Sequence, residues 1–442
     1  MAGLIYKLNK HKQKKAVSFH MPGHKNGRFI PQKVKNLLGE KYFLADVTEL
    51  SGLDNLFFPE GVLKELEEKI ACYFGFANAH LSVNGSTAAI IALLLSFFTP
   101  GEKVVVDRVS HISLYHGMVL GDLIPEFLYP DWDEEYGLPV NKKPQTTGKK
   151  YFLTNPDYHG LVQDLRSVKA EKIFLDAAHG GLIPLWRRDF FDGISGFAVS
   201  LHKTGPFPNP LAAVVYRDKE VEVKRALNLV QTTSPSYPLL AAAEGGVDML
   251  LTKGEKAYAK GLALTNYFKR QLIKRGIGFL QAKYPAEPLK VTIKAGDLGL
   301  SGEKIANNLM KKGIFPEAYG PGYVLFMFSP GNTEGEVENL LKALDSLKRE
   351  RAKIVLPQNP FTLNQKQKLT PREAYYAKGK LIPLKEGPGK IARDGVTVYP
   401  PGAPVIYPGE EITREAVEYL DFHLKSGFRV TGIYEGYLKV VR

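Results

Sequence analysis

Gly196-Phe197-Ala198-Val199-Ser200-Leu201-His202-Lys203 joins an apolar run to a polar tip that ends in one lysine. A run of this kind suits a strand buried on both faces, and Thr204-Gly205 supplies a tight exit. The same design recurs upstream, where Ile173-Phe174-Leu175 runs into Asp176-Ala177-Ala178-His179. Further short strand-like runs stand at 80–83, 103–106, 151–153 and 212–216. Helical patterns lie among them. Val62, Leu63, Leu66, Ile70 and Phe74 fall at helical spacing, and the apolar stretch 88–98 is stopped by Thr99-Pro100-Gly101. Strands alternating with helices predict an α/β fold whose large domain holds a mostly parallel sheet covered on both faces. Ligands gather at the carboxyl ends of the strands in such sheets.

The texture changes after about residue 250. A long helix over 255–275, a strand at 289–293, a helix at 302–312, a strand at 323–328 and a helix at 334–349 predict a smaller α/β unit. Residues 357–369 read as a linker, followed by a segment rich in proline and glycine. The expected division is a basic arm (1–45), a large domain (46–270), a small α/β domain (271–355) and a C-terminal domain (356–442). The longest apolar run is too short to span a bilayer. The basic N-terminus has no apolar signal core, so a cytoplasmic location is expected. Cys72 is the only cysteine, which excludes an intrachain disulfide framework and a cysteine-rich metal site. Its place in the amphipathic stretch 62–74 predicts core packing.

Net charge is +13, and residues 1–45 carry most of it, with ten Lys or Arg against Glu40 alone. Such an arm can bind nucleic acid or an acidic surface. No zinc-finger spacing or aromatic-basic motif supports nucleic acid here, and the arm reads as solvated and packing on a partner subunit.

A lysine after a strand is ordinarily a surface residue. Here Ser200 and His202 flank Lys203 with donors suited to a phosphate, and Asp176 stands at another strand tip. A lysine and an aspartate delivered in this way are the two groups pyridoxal phosphate requires: an amine for the Schiff base and a carboxylate that keeps the pyridine nitrogen protonated. Asn84-Gly85-Ser86-Thr87 opens a helix, whose amides and hydroxyls suit a phosphate; an N-cap without ligand fits the same residues. His111, just past a strand tip, could stack on a cofactor ring or be structural. His179 could orient Asp176 or simply finish its strand. Phe19-His20-Met21-Pro22-Gly23-His24-Lys25 lacks nearby carboxylates and cysteines, so no metal site is expected, and a binding loop or subunit contact is.

Together these residues resemble the Orn/Lys/Arg decarboxylases, pyridoxal-phosphate enzymes of aspartate-aminotransferase-like fold. The likeness runs through Pro22-Gly23-His24-Lys25, Gly52-Leu53-Asp54-Asn55-Leu56, Asn84-Gly85-Ser86-Thr87 and the 107–113 segment. It continues through Asn155-Pro156-Asp157-Tyr158-His159-Gly160, Asp176 to His179, Ser200 to Lys203, and Thr232 to Tyr237. Tyr399-Pro400-Pro401-Gly402 and Pro408-Gly409-Glu410 look like the family's C-terminal domain. The resemblance implies a seven-stranded, mostly parallel sheet in the large domain, a short form without a receiver-like N-terminal domain, and a homodimer at least. It assigns the Schiff base to Lys203, the pyridinium partner to Asp176 and ring stacking to His111. Phosphate contacts fall to Gly85, Ser86, Thr87, Ser200 and His202, with Ser234 reaching across a dimer interface. Asp54 and Glu410 are the acidic residues expected to read a cationic substrate. Three features depart from the pattern: Ile112 where lysine is usual, Ala177 where glutamate is common, and the 204–210 loop.

The implied reaction is α-decarboxylation of arginine, lysine or ornithine to the corresponding polyamine-type amine and carbon dioxide. An aminotransferase or lyase would use the same cofactor set, but no arginine stands out as a carboxylate clamp. A catalytically reduced paralogue binding nucleic acid through its arm is the third reading, and would show strongly salt-dependent binding.

Overall fold

The computed structural model describes residues 3–442 apart from 14–16, 146, 350–353, 363–364 and 400–401. Lys14 and Lys15 of the arm, and Pro400 and Pro401 of the Tyr-Pro-Pro-Gly motif, therefore lie outside the described residues. The main sheet has seven strands: β1 (Asn78–Ser82), β2 (Lys103–Asp107), β3 (Ile124–Leu128), β4 (Lys150–Thr154), β5 (Lys172–Asp176), β6 (Gly196–Ser200) and β7 (Ala212–Tyr216). Their order is β1-β7-β6-β5-β4-β2-β3. β2 pairs in parallel with β3 and β4, and β4 with β5. β7 runs antiparallel to β1 and β6. The helices include α1 (Leu4–Gln13), α2 (Val62–Phe74), α3 (Gly85–Phe97), α4 (Ile112–Gly121) and α5 (Tyr237–Lys274). The sequence pattern showed six of the seven strands. β3 escaped it because Pro125 and Glu126 interrupt its apolar run, which an edge strand tolerates.

One unit comprises Met1–Phe97, Gly180–Arg188 and Ser195–Glu255. In it α3 is apolar almost all round and packs against β1, β6 and β7. The start of the basic arm is docked, which corrects the solvated arm expected. Leu4 and Leu8 of α1 are buried, and the amides of Leu4 and Ile5 donate to the Glu244 carboxylate at 2.7 and 2.8 Å. A carboxylate at a helix N-terminus is stabilising, and an i, i+4 leucine pair gives α1 an apolar stripe to bury. Cys72 is exposed, which corrects the core position predicted for it. The buried stripe of α2 runs through Leu63, Leu66, Glu67, Ile70, Ala71 and Phe74, and residue 72 falls off it.

The pattern also placed the start of α5 at 255, some eighteen residues late. Gly246 and Gly254, inside this helix, are packing positions. A Cβ at Gly246 would come within 2.4 Å of the Phe207 ring, and one at Gly254 within 3.1 Å of Leu185. Each mid-helix glycine costs about 1 kcal/mol relative to alanine, and close approach to these apolar neighbours offsets it.

The other unit comprises Phe98–His179, Asp189–Ile194 and Lys256–Arg442. It holds β2 to β5 and a three-stranded antiparallel sheet of Lys290–Lys294, Tyr323–Met327 and Ala318–Gly320. Its C-terminal part folds two small sheets and the helix Arg414–Lys425 around a core that includes Val396, Ile406, Leu420, Leu438 and Val440. Among the described residues, no helix is long and apolar enough to cross a membrane.

Candidate functional site

In the first unit, Lys203 follows β6 by three residues, within the single helical turn Leu201–Thr204, and is exposed. Ser200, the last residue of β6, is buried and donates its hydroxyl to Ser86 Oγ at 2.8 Å. Two hydroxyls singled out far apart in sequence thus meet. Gly85 takes φ +74° as α3 begins, a left-handed turn that glycine makes without strain. A Cβ there would meet nothing nearer than Pro210 at 3.8 Å, so the space over this helix start is open. Thr87 is exposed at the same end. Open amides and paired hydroxyls at the N-terminus of a thirteen-residue helix form an anion seat.

Thr204 is a residue the sequence pattern undervalued. Its Oγ1 is buried with no hydrogen-bond partner among the described residues. A Cβ on Gly181 would come within 2.6 Å of it, so glycine is needed there. A buried hydroxyl without a partner, next to the lysine, fits a polar ligand group.

His202 is tied to the backbone through one ring nitrogen. Its Nδ1 lies 2.7 Å from the Leu211 carbonyl oxygen, which can only accept, so Nδ1 carries the proton. Burial pushes its pKa down, opposed by that hydrogen bond, and in the neutral ring Nε2 is an acceptor. Ser234 is exposed on a loop whose Thr232 amide donates to Asn84 Oδ1 at 3.4 Å.

Asp54 is occupied internally, and the substrate-reading role expected of it is revised. Its carboxylate accepts from the amides of Asn55, Glu60, Gly61 and Leu63 at 2.8–3.0 Å. Burial pushes this carboxyl up, but the four amides outweigh it and hold it below the ordinary range. The residue organises the loop that starts α2.

In the second unit, Asp176 closes β5, is buried, and accepts from the Ala178 amide at 3.0 Å. His179 is buried with its ring edge-on to Tyr158, centroids 5.3 Å apart. Tyr158 is itself held at both ends. Its hydroxyl donates to Glu317 at 2.8 Å and its carbonyl accepts from Lys290 at 2.7 Å. His111 caps α4: Nδ1 accepts from the Ser113 amide at 3.2 Å and lies 2.8 Å from the Ser113 hydroxyl. The neutral ring therefore carries its proton on Nε2. Ile112 is the first residue of α4.

Glu410, the other carboxylate expected to read substrate, is fully buried and engaged with Arg108 at 2.7 Å and the Tyr407 amide at 2.8 Å. That expectation is likewise revised. Arg108 stood in plain view in the 107–113 segment, but a basic residue at a strand tip gives no sequence signal of complete burial.

Asp107, at the tip of β2, is also buried, and Oδ2 accepts from the Thr154 amide at 2.7 Å. Burial pushes its pKa up to about 7, opposed by that amide and reinforced by the nearby Asp157 carboxylate. The native carboxyl thus holds a proton at pH values where the unfolded one has lost it. Its stabilising effect is complete below the unfolded pKa and is lost as pH rises through about 7. Asp107→Asn should therefore flatten the fall in stability between pH 5 and 8 by about 3 kcal/mol. Thermal melts at the two pH values check this, and an unchanged pH slope would refute it.

The Orn/Lys/Arg decarboxylase major-domain family model matches residues 3–282, and the C-terminal-domain model of the same family matches residues 355–434. The arginine decarboxylase of Bacillus subtilis (strain 168) is similar at 29% identity, covering 98% of this chain and 96% of that protein. The constitutive lysine decarboxylase of Escherichia coli (strain K12) is similar at 24% identity, covering 92% of this chain and 75% of that protein. Among solved structures, the lysine decarboxylase of Francisella novicida shares the fold with a TM-score of 0.86 at 22% identity, covering 100% of this chain and 81% of that one. A NifS-like protein shares it more distantly, with a TM-score of 0.52 at 14% identity over 66% of this chain and 90% of that one. Two domain models of one family match in chain order, the first over more than half of the sequence, and this chain belongs to the Orn/Lys/Arg decarboxylases.

Proposed function

We propose that this protein is a pyridoxal-phosphate-dependent decarboxylase of a basic amino acid, with arginine as its first substrate. The observation that carries the reading is the pairing of Ser86 and Ser200 hydroxyls beside Lys203, at strand and helix ends that also leave the Thr204 hydroxyl buried without a partner among the described residues. The donor set fits a phosphate monoester next to an amine. The relatives named arginine decarboxylase match at 27–29% identity over 92–99% of this chain, which supports arginine over lysine.

When bound, pyridoxal phosphate supplies an electron-accepting ring. Ser86, Thr87, Ser200 and the amides from Gly85 onward would hold its phosphate. Lys203 would anchor it through Nζ and return a proton to the substrate's Cα. Asp176 would hold a proton on the ring nitrogen, and His111 would lie against the ring face. The reading keeps the division into arm, large domain, small domain and C-terminal domain at 1–45, 46–270, 271–355 and 356–442. A cytoplasmic site of action goes with it, since a lone cysteine offers nothing to an oxidising compartment.

The reading includes a homodimer, with Ser234 reaching the partner's site. Phe19 and Phe29 are 94% and 85% exposed, and Val17, Leu37 and Phe58 are exposed in the same unit. Several large apolar side chains left open in one stretch mark an association surface. The experiment is to incubate the protein with pyridoxal phosphate and, separately, arginine, lysine and ornithine. Equimolar amine and carbon dioxide, formed fastest from arginine, are expected. A keto acid, or no product from any of the three, would overturn the reading. Sedimentation should give twice the 49.1 kDa chain mass, and a monomer would overturn the two-subunit site.

A further inference from the structure

We infer that the C-terminal segment 402–410 is a positioning device for His111, locked in place by the buried Arg108–Glu410 ion pair. The inference rests on the reading of His111 as a cofactor-ring contact. It makes Arg108 and Glu410 positioning residues that touch neither cofactor nor substrate.

Arg108 is the first residue beyond β2, and its side chain is 0% exposed. Its guanidinium donates to the Pro404 carbonyl at 2.8 Å, to the Val405 carbonyl at 2.9 Å and to Glu410 at 2.7 Å. Phe127, Phe361 and Tyr407 surround it, with ring centroids 5.1–5.3 Å away. The planar fork thus fixes two consecutive carbonyls of 402–410 while Glu410 closes the loop back upon it. Burying such a pair is a poor way to add stability, because desolvation can exceed the Coulombic gain. Fixing register is the better-attested use of a buried ion pair.

What the register sets is the place of His111. Three residues after Arg108, its imidazole lies beside Gly402, two residues before the first clamped carbonyl. Gly402 adopts φ +82°, and a Cβ there would lie 3.5 Å from His111 Cδ2. On its other side the ring is tied to the Ser113 hydroxyl and amide. A cavity of about 400 Å³, lined in part by His111, Tyr375, Arg393, Tyr399 and Tyr434, opens beside the ring. The imidazole therefore has room to swing if the 402–410 segment shifts.

The test uses full-length protein carrying Glu410→Gln, the milder Gly402→Ala, His111→Ala, or His111→Ala with Glu410→Gln. Far-UV circular dichroism selects folded variants, and Gly402→Ala keeps the test open should Glu410→Gln not fold. Pyridoxal phosphate is titrated by absorbance, and the visible circular dichroism of the bound cofactor reports its orientation. Both single variants of the clamp are expected to weaken cofactor binding about tenfold and change the visible dichroism, below the roughly hundredfold cost of ångström-scale misplacement in a rate. They should lower kcat with little change in KM. Adding Glu410→Gln to His111→Ala should add nothing further, the mark of two residues acting through one contact. Wild-type affinity and dichroism in folded variants would overturn the inference, as would additive losses. A raised KM with unchanged cofactor binding would return Glu410 to substrate reading. If the wild-type protein itself bound no pyridoxal phosphate, the functional reading would fall, and the inference with it.

Discussion

Lys203→Ala is expected to abolish covalent capture of pyridoxal phosphate and to lower turnover on the order of 10³-fold or more, the scale of losing a nucleophile that also moves protons. Lys203 is exposed, so the variant should melt within a degree or two of wild type. The Ser86–Ser200 seat is untouched and should still hold the phosphate by hydrogen bonds. Borohydride treatment followed by mass measurement separates the two modes: wild-type protein should retain the cofactor mass and the variant should not. A variant that still traps cofactor and turns over at the wild-type rate would remove Lys203 from the chemistry.

Glu67→Ala should cause the largest loss of stability away from the candidate site. Glu67 is buried between α2, β1 and the helix Val223–Val230. Its carboxylate lies 2.9 Å from His80 Nδ1 and accepts from the Leu81 amide at 3.0 Å and from Lys224 Nζ at 2.7 Å. His80 Nε2 in turn lies 3.0 Å from the Tyr216 hydroxyl. Burial pushes the Glu67 carboxyl up, but His80 and Lys224 together outweigh it and hold the pKa below its ordinary value. Removing the carboxylate strands a half-buried ammonium and a buried amide, at a cost of about 3 kcal/mol and up to about 5. That corresponds to a fall in Tm of roughly 3–5 °C for a chain of this size. Because the folded pKa is depressed, the contribution is present above the unfolded value and lost as pH falls. The gap between wild type and variant should therefore narrow in acid. Equal melting temperatures at neutral pH would show that the network stabilises nothing.

The strands that carry the site were legible because their chemistry is local. Each of β2, β4, β5, β6 and β7 is a short apolar run with polar residues at or just past its end, and a strand buried on both faces needs little more. Lys203 and Asp176 could be picked out for the same reason, each standing just where an apolar run gives way to polar residues. The start of α3 was visible too, since Gly85-Ser86-Thr87 before an apolar helix signals its own N-terminus. The failures have the opposite cause. Gly246 and Gly254 break a helix only if nothing packs on them, and Phe207 and Leu185 do. Cys72 stood inside an amphipathic stretch but off its buried stripe, a matter of phase around the helix.

Roles that depend on what a side chain meets were beyond the pattern. An acidic residue in a family motif reads alike whether it faces substrate or backbone. Asp54 spends both oxygens on four amides within nine residues of itself, and Glu410 gives one of its oxygens to an arginine 302 positions away. His202 shows the same limit at the level of one proton: only the Leu211 carbonyl fixes which ring nitrogen carries it. The sequence by itself determined the α/β class, the family and the lysine, aspartate and hydroxyls at the strand and helix ends, because apolar periodicity and terminal polar residues are written along the chain. Only the tertiary structure decided which charges are consumed internally, that Ser86 and Ser200 meet, and that 402–410 is bound to the segment carrying His111. Those depend on distances between residues remote in sequence, and burial sets their strength.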